Sequence, residues 1–163
     1  MISKDLEKLL NEQYNLELAS GHAYLAMMAW FQDKSWDGFA HFMKLQAEEE
    51  YEHACKFFDF MGDTGLRTIV DAMPKPEADF ASVRKVFEAA LKHEQDVTAA
   101  IHHLYDKALE EKSFETMEFL HWFLKEQVEE EDTMQTILDK IDQLDGSDYG
   151  IYILDKELGQ REE

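Results

Sequence analysis

Apolar residues recur along most of the chain at alternating spacings of three and four, which is the period of an amphipathic α-helix. The pattern predicts four long helices and a short fifth one, over residues of about 4–33, 36–61, 80–111, 114–144 and 148–158. Ser3, Ser35 and Ser113 stand just before three of these helices, where a serine side chain can cap the first turn. Both prolines, Pro74 and Pro76, fall in the one long stretch that lacks the pattern.

The lengths of the connections predict how the helices are arranged. Only a few residues join the first helix to the second and the third to the fourth, which indicates two antiparallel hairpins. The link over 62–79 can reach about 60 Å when extended, whereas a helix of about 26 residues spans only about 39 Å. It can therefore run the length of the bundle. We expect a single all-α domain over 1–163, a four-helix bundle with one long crossover and a short C-terminal helix.

A carboxylate interrupts the apolar stripe of each long helix near its middle. The four residues are Glu17, Glu50, Glu94 and Glu130. A residue at mid-helix stays at mid-bundle whichever way the helix runs, so these side chains are predicted to share one layer. His53 and Gln127 lie three residues from Glu50 and Glu130, on the same helical faces. In the stretch "EEEYEH" (48–53), Glu50 and His53 are thus predicted to face inward, and Glu48 and Glu52 outward.

A layer of buried carboxylates requires a compensating charge. No lysine or arginine lies on any of the four stripes, and an unpaired buried carboxylate costs several kcal/mol or takes up a proton. Bound cations would remove this cost, and oxygen ligands with a little nitrogen suit iron or manganese and can admit zinc. Six ligand side chains favour a dinuclear site. The alternative is that the glutamates lie on the surface, which would require the apolar stripe to be misplaced in the same way in all four helices.

Composition narrows the possible partners and location. The formal net charge is −20, which argues against binding to nucleic acid or to an anionic membrane surface. Cys55 is the single cysteine, so an intrachain disulfide is excluded. The N-terminal sequence lacks the apolar segment of a signal peptide, and no apolar run approaches the length of a membrane span. We therefore expect a cytoplasmic protein.

Five stretches of the chain carry a specific family resemblance. They are "NEQYNLELASGHAYLAM" (11–27), "QAEEEYEHACKFFDF" (46–60), "FEAALKHEQDVT" (87–98), "FLHWFLKEQVEEED" (119–132) and "YILDKEL" (152–158). With these stretches the sequence resembles the non-haem ferritins of bacteria and archaea over essentially its whole length. The resemblance implies a ferritin-like fold, iron storage and ferroxidase activity, in which O2 or hydrogen peroxide oxidises Fe(II) to Fe(III). It also implies a homo-oligomeric cage of 24 subunits.

The resemblance also implies roles for individual residues. One iron site would use Glu17, Glu50 and His53, and a second would use Glu50, Glu94 and Glu130 with Gln127 close by. A third, peripheral iron site would use Glu49, Glu126 and Glu129, with Glu130 adjacent. Tyr24 and Trp122 match aromatic residues that the family keeps beside the dinuclear centre.

Some positions depart from related families. Bacterioferritins bind haem through a methionine at the position of Tyr51 and carry a second Glu-x-x-His where this chain has Gln127-x-x-Glu130, so haem is not expected. Animal ferritins line a channel with two acidic residues at the positions that align with Met117 and Leu120. The route by which iron would reach the centre is therefore left open.

Two other functions compete with iron storage. One is a di-iron peroxidase or oxygenase that turns over without storing iron, and the other is a helical bundle that only mediates interactions. Particle size separates a storage cage from the first alternative, and metal content separates both catalytic functions from the second.

Overall fold

The computed structural model describes residues 2–162, which form five α-helices and no β-strand. The helices are α1 (Lys4–Asp33), α2 (Asp37–Asp63), α3 (Val83–Glu110), α4 (Phe114–Gln143) and α5 (Asp148–Leu158). α1 packs along α2, α3 packs along α4, and α5 lies against α2. The predicted all-α architecture is confirmed. Within the described part of the chain, no helix combines the length and the apolar character that crossing a membrane requires.

Two asparagines of α1 fix the path of the link between α2 and α3. Asn11 donates to the Arg67 carbonyl at 3.0 Å and accepts from the Ile69 amide at 2.6 Å. Asn15 repeats the pattern with the Ile69 carbonyl and the Asp71 amide, both at 2.8 Å. As the link advances, its partners on α1 advance too, so the link runs in the same direction as α1.

The far end of the link shows that α2 and α3 are parallel. Phe80 packs its ring 5.9 Å from that of Trp30, near the end of α1. Arg84, at the start of α3, pairs with Asp142 near the end of α4 at 2.9 Å, so α3 and α4 are antiparallel. The link has therefore travelled the length of the bundle, and the predicted single long crossover is confirmed.

Capping differs in part from the sequence prediction. Ser3 caps α1 by accepting a hydrogen bond from the Leu6 amide at 3.1 Å. The third helix begins at Val83 rather than at 80, because Ser82 accepts a hydrogen bond from the Lys85 amide at 3.2 Å. The predicted cap at Ser35 is wrong: this residue has a φ of 60° in the turn before α2, and Trp36, which makes no side-chain cap, takes the N-cap position. Ser113 likewise makes no side-chain cap to the backbone.

The apolar core consists of two separate clusters, and the buried glutamates lie between them. Along each long helix, the glutamate lies between a residue of one cluster and a residue of the other. These pairs are Tyr14 and Tyr24 around Glu17, Ala47 and Ala54 around Glu50, Ala90 and Val97 around Glu94, and Phe123 and Met134 around Glu130. The four long helices thus place their polar interruptions in one layer at mid-bundle.

Candidate metal centre

The four central glutamates are almost completely buried. Their exposed fractions are 0% for Glu17, 1% for Glu50, 0% for Glu94 and 5% for Glu130. Glu48 and Glu52, on the same helix as Glu50, are exposed, as the helical period predicts. Among residues 2–162, the only basic group within ion-pair distance of the four is His53. Four carboxylates with one imidazole leave a large excess of negative charge in a low-dielectric interior.

Glu17, Glu50 and His53 form the first possible ligand cluster. Each offers one ligand atom, and these atoms lie within 4.8 Å of one another. His53 Nδ1 is 3.5 Å from Glu50 Oε2 and 3.9 Å from Glu17 Oε2. In the described chain all three atoms are buried and have no hydrogen-bond partner. A buried polar atom left in this state costs about 1–3 kcal/mol, so three that converge fit a bound cation.

The carboxylates on the α3–α4 side are arranged differently. Glu130 joins His53 and Glu126 in a second group whose ligand atoms lie within 4.8 Å of one another. Glu94 belongs to neither three-residue group, and hydrogen bonds hold its carboxylate instead. The Tyr24 hydroxyl donates to Glu94 Oε1, and Gln127 Nε2 donates to Glu94 Oε2 at 3.2 Å. Gln127 therefore turns its amide nitrogen toward Glu94.

Burial and mutual repulsion raise the pKa values of the central carboxyl groups. Burial is the main cause for both Glu17 and Glu50. The negative charge of Glu50 raises the pKa of Glu17 further, and the charge of Glu94 does the same for Glu50. Burial, and then the charge of Glu94, raises the pKa of Glu130 to about 7. Burial and Glu94 also raise the pKa of the Tyr24 hydroxyl. The layer therefore cannot carry its full negative charge at neutral pH without a cation.

Two buried glutamines orient two of the central carboxylates, and the sequence predicted a role for neither glutamine. Gln13 Nε2 donates to Glu17 Oε1 at 2.7 Å, and Gln46 Nε2 donates to Glu130 Oε2 at 2.9 Å. Each glutamine lies four residues before a central glutamate of its own helix, Glu17 or Glu50. For Gln13, a buried amide one turn before Glu17 was the available signal, whereas the spacing along α2 does not predict that Gln46 bonds to Glu130 on α4. Such partners hold a ligand in its binding orientation.

The peripheral carboxylates lie at the edge of this layer. Glu49 and Glu126 are half-buried, and Glu129 is exposed. Burial raises the pKa of Glu126, and the charges of Glu129 and Glu49 raise it further, which indicates that each of these two carboxylates lies near Glu126. Glu49 Oε1 pairs with the Arg161 guanidinium at 2.7 Å. Sequence reasoning did not foresee this arginine.

Aromatic rings border the site on two sides. The Trp122 ring lies 5.2 Å from that of His53, in an edge-on arrangement. The Tyr24 ring lies 6.0 Å from that of His93, whose Nε2 is 2.6 Å from Ser20 Oγ. Tyr24 is completely buried and Trp122 is partly exposed. Tyr24 touches the candidate centre through Glu94, and Trp122 packs against His53.

The comparison with known families agrees with this geometry. Residues 7–144 match the Ferritin family model, which describes a ferritin-like domain. The chain belongs to the ferritin family. The resemblance inferred from the sequence is thereby confirmed. The matched range contains every predicted ligand of this ferritin, whereas Arg161 lies beyond it.

Individual relatives align with this ferritin along nearly their whole length. It is 41% identical over 161 residues to the bacterial non-heme ferritin of Staphylococcus saprophyticus, covering 99% of this chain and 96% of that protein. A probable bacterial non-heme ferritin-like protein of Haemophilus influenzae is 37% identical over 159 residues, with 98% and 96% covered. Among solved structures, an open pore ferritin from the hyperthermophilic archaeon Archaeoglobus fulgidus is 37% identical, with a TM-score of 0.98 over 99% of this chain and 100% of that one.

Proposed function

We propose that this protein is an iron-storage ferritin with ferroxidase activity. Fe(II) is its substrate, and the ferric product is stored inside a multi-subunit cage. The observation that carries the proposal is the convergence of Glu17, Glu50 and His53 in the bundle interior, with buried ligand atoms that lack a hydrogen-bond partner in the described chain. A cage of 24 subunits and a cytoplasmic location are part of the proposal, supported by the family resemblance.

Each Fe(II) ion takes ligands from a different side of the layer. Glu17 and His53 bind the first ion, Glu94 and Glu130 bind the second with Gln127 nearby, and Glu50 bridges the two. The charge of Glu94 affects the pKa of Glu50, and Glu50 in turn affects that of Glu17, which supports a central place for Glu50. Anionic oxygen ligands favour the higher charge of Fe(III) over that of Fe(II).

The chain's contribution to the reaction is the positioning of its ligands. Gln13 holds Glu17, Gln46 holds Glu130, and Tyr24 holds Glu94. Two Fe(II) ions held together can supply two electrons to one molecule of O2 or hydrogen peroxide, the oxidants we propose. Apolar clusters on both sides of the layer limit the access of bulk water to it. Holding Glu17 and Glu130 in place in this way reduces the ordering that ion binding requires.

Rapid oxidation of Fe(II) is the direct test of this function. We expect the metal-free protein, mixed with Fe(II) under air, to form ferric species much faster than buffer alone, as followed by absorbance. Glu48→Ala is the matched control, because this exposed glutamate neighbours the site in sequence but points away from it. A rate equal to that of buffer would contradict ferroxidase activity.

Particle size distinguishes storage from turnover without storage. A storage protein forms a very large shell that retains iron, whereas a di-iron peroxidase or oxygenase functions as a small oligomer. Size-exclusion chromatography combined with iron analysis of the same fractions measures both properties. Iron retained only in small oligomers would favour the peroxidase or oxygenase.

The peripheral glutamates form a third metal site in this proposal. Because Glu129 is exposed and Glu130 is buried, we expect Glu129→Ala to leave both central ions bound and to change only the later turnovers. Anaerobic Fe(II) titration measures the first effect, and repeated additions of Fe(II) under air measure the second. Asp132→Ala, another exposed acidic change on α4, serves as the control. Loss of the initial oxidation in Glu129→Ala would instead place Glu129 among the central ligands.

A further inference from the structure

Arg161, three residues beyond the end of α5, makes four contacts with α2. Its Nη2 lies 2.7 Å from Glu49 Oε1, and its Nη1 donates to Gln46 Oε1. The guanidinium lies 5.0 Å from the centre of the Phe42 ring, and the Arg161 carbonyl oxygen is 2.9 Å from His41 Nε2. One residue near the C-terminus thus contacts both a peripheral carboxylate and an amide of the central layer.

The docking of α5 on α2 brings Arg161 to this position. The Phe39 amide donates to Asp155 Oδ1 at 2.9 Å, and Asp155 is buried. Gly38 permits the close approach, since a Cβ at this position would lie 1.7 Å from the Asp155 carbonyl oxygen. α5 ends at Leu158, and the chain then continues alongside α2 to Arg161. The placement of Arg161 therefore follows from specific packing between α5 and α2.

Arg161 affects two groups of the layer in different ways. At Glu49 it neutralises one carboxylate oxygen, while Glu49 Oε2 stays buried and, within residues 2–162, without a hydrogen-bond partner. At Gln46 it occupies the amide oxygen, which directs the amide nitrogen toward Glu130 Oε2 at 2.9 Å. An arginine is suited to both tasks because its planar guanidinium carries several fixed donors and a permanent charge.

We propose that Arg161 is an internal cation that competes with the third metal ion for Glu49. This inference rests on the proposed function, because it concerns the third site of the same centre. A metal ion that binds Glu49, Glu126 and Glu129 must displace the guanidinium or share the carboxylate with it. Either event reduces the free energy that is gained when the third ion binds. The third site is therefore weaker than the central pair, and an ion bound there exchanges readily.

A second cation lies on the other side of the peripheral group. Lys56 Nζ lies 4.6 Å from the centre of the Trp122 ring, and its charge partly offsets the rise that burial causes in the pKa of Glu126. It makes no ion pair with Glu49 in the described chain, where Arg161 is the cation paired with that glutamate. Arg161 is therefore the residue whose removal frees a peripheral carboxylate.

Calorimetric titration of three full-length variants with Zn(II), and with Fe(II) under anaerobic conditions, tests the proposal. We expect Arg161→Gln to bind the third ion about fivefold more tightly, as the loss of a partly exposed ion pair allows, with the central affinities changed much less. Arg161→Lys keeps the charge and should bind the third ion as weakly as the native protein does. Arg84→Gln changes the net charge equally, but Arg84 pairs with Asp142 and Glu88, so its third-ion affinity should match the native one.

The outcomes separate this inference from the proposed function. If the native protein binds no ion at the central pair, the proposed function fails. If the central pair binds normally but Arg161→Gln leaves the third affinity unchanged or weaker, only the role of Arg161 is refuted. A lower melting temperature of metal-free Arg161→Gln with unchanged third-ion affinity would also refute it, since it would reduce Arg161 to a tie between α5 and α2.

Discussion

Glu50→Ala is expected to weaken both central metal sites and to abolish the coupled oxidation of two Fe(II) ions. Glu50 Oε2 lies 3.5 Å from His53 Nδ1, and the charges of Glu94 and Glu130 act on the same carboxyl group. It is therefore the carboxylate that faces both halves of the layer. Because loss of a group that only supports a ligand already costs about 10–100-fold in affinity or activity, loss of a shared ligand should slow oxidation by more than about 100-fold.

Single changes on either side of Glu50 supply the comparison. Glu17→Ala should weaken the binding of mainly one ion, and Glu94→Ala should weaken the binding of mainly the other. Glu52→Ala should weaken the binding of neither ion, because Glu52 lies on the same helix as Glu50 but is exposed. Anaerobic Fe(II) calorimetry counts the sites in each variant, and stopped-flow absorbance under air measures oxidation. Two tight sites retained in Glu50→Ala would show that Glu50 does not bridge, and the ligands would have to be assigned again.

The central layer could be predicted from sequence because it depends on short-range regularities. The helical period identifies which face of each helix is buried, and a position near mid-helix determines depth in the bundle. Together they predict that Glu17, Glu50, Glu94 and Glu130 share one layer at mid-bundle, and the structure places this layer between two apolar clusters. The single crossover was also predictable, since the link is long enough to span the bundle and the other connections are not.

Contacts between residues far apart in the chain could not be predicted in this way. Arg161 and Glu49 are separated by 112 positions, and Tyr24 and Glu94 by 70. No periodicity relates such pairs, so their contact depends on how α5 docks and how side chains turn within the core. The wrong cap at Ser35 has a local cause, because the tight turn between α1 and α2 forces this residue to a positive φ. A serine before a helix indicates a cap only when the turn leaves its side chain free to reach back.

The metal-free protein should lose stability as the pH rises from about 4.5 to above 7. In the unfolded chain Glu130 ionises near the ordinary glutamate pKa of 4.5, whereas in the folded protein its pKa is about 7. Between these values the folded state holds the proton more often than the unfolded state does, so the free energy of unfolding falls as pH increases. For Glu130 alone the loss is about 3 kcal/mol, complete above pH 7. The raised pKa values of Glu17 and Glu50 act in the same direction.

Denaturation at a fixed subunit concentration, with and without Zn(II), measures this dependence. Zn(II) should restore the stability lost at high pH, because an ion that binds only the folded state stabilises it by mass action. In Glu130→Gln, which cannot ionise, the decline between pH 4.5 and 7 should be smaller by the Glu130 contribution. Carboxylates with lowered pKa, such as Asp142 beside Arg84, affect stability mainly below this range. If metal-free stability were constant from pH 5 to 8 and indifferent to Zn(II), the carboxylates would not form a buried metal centre.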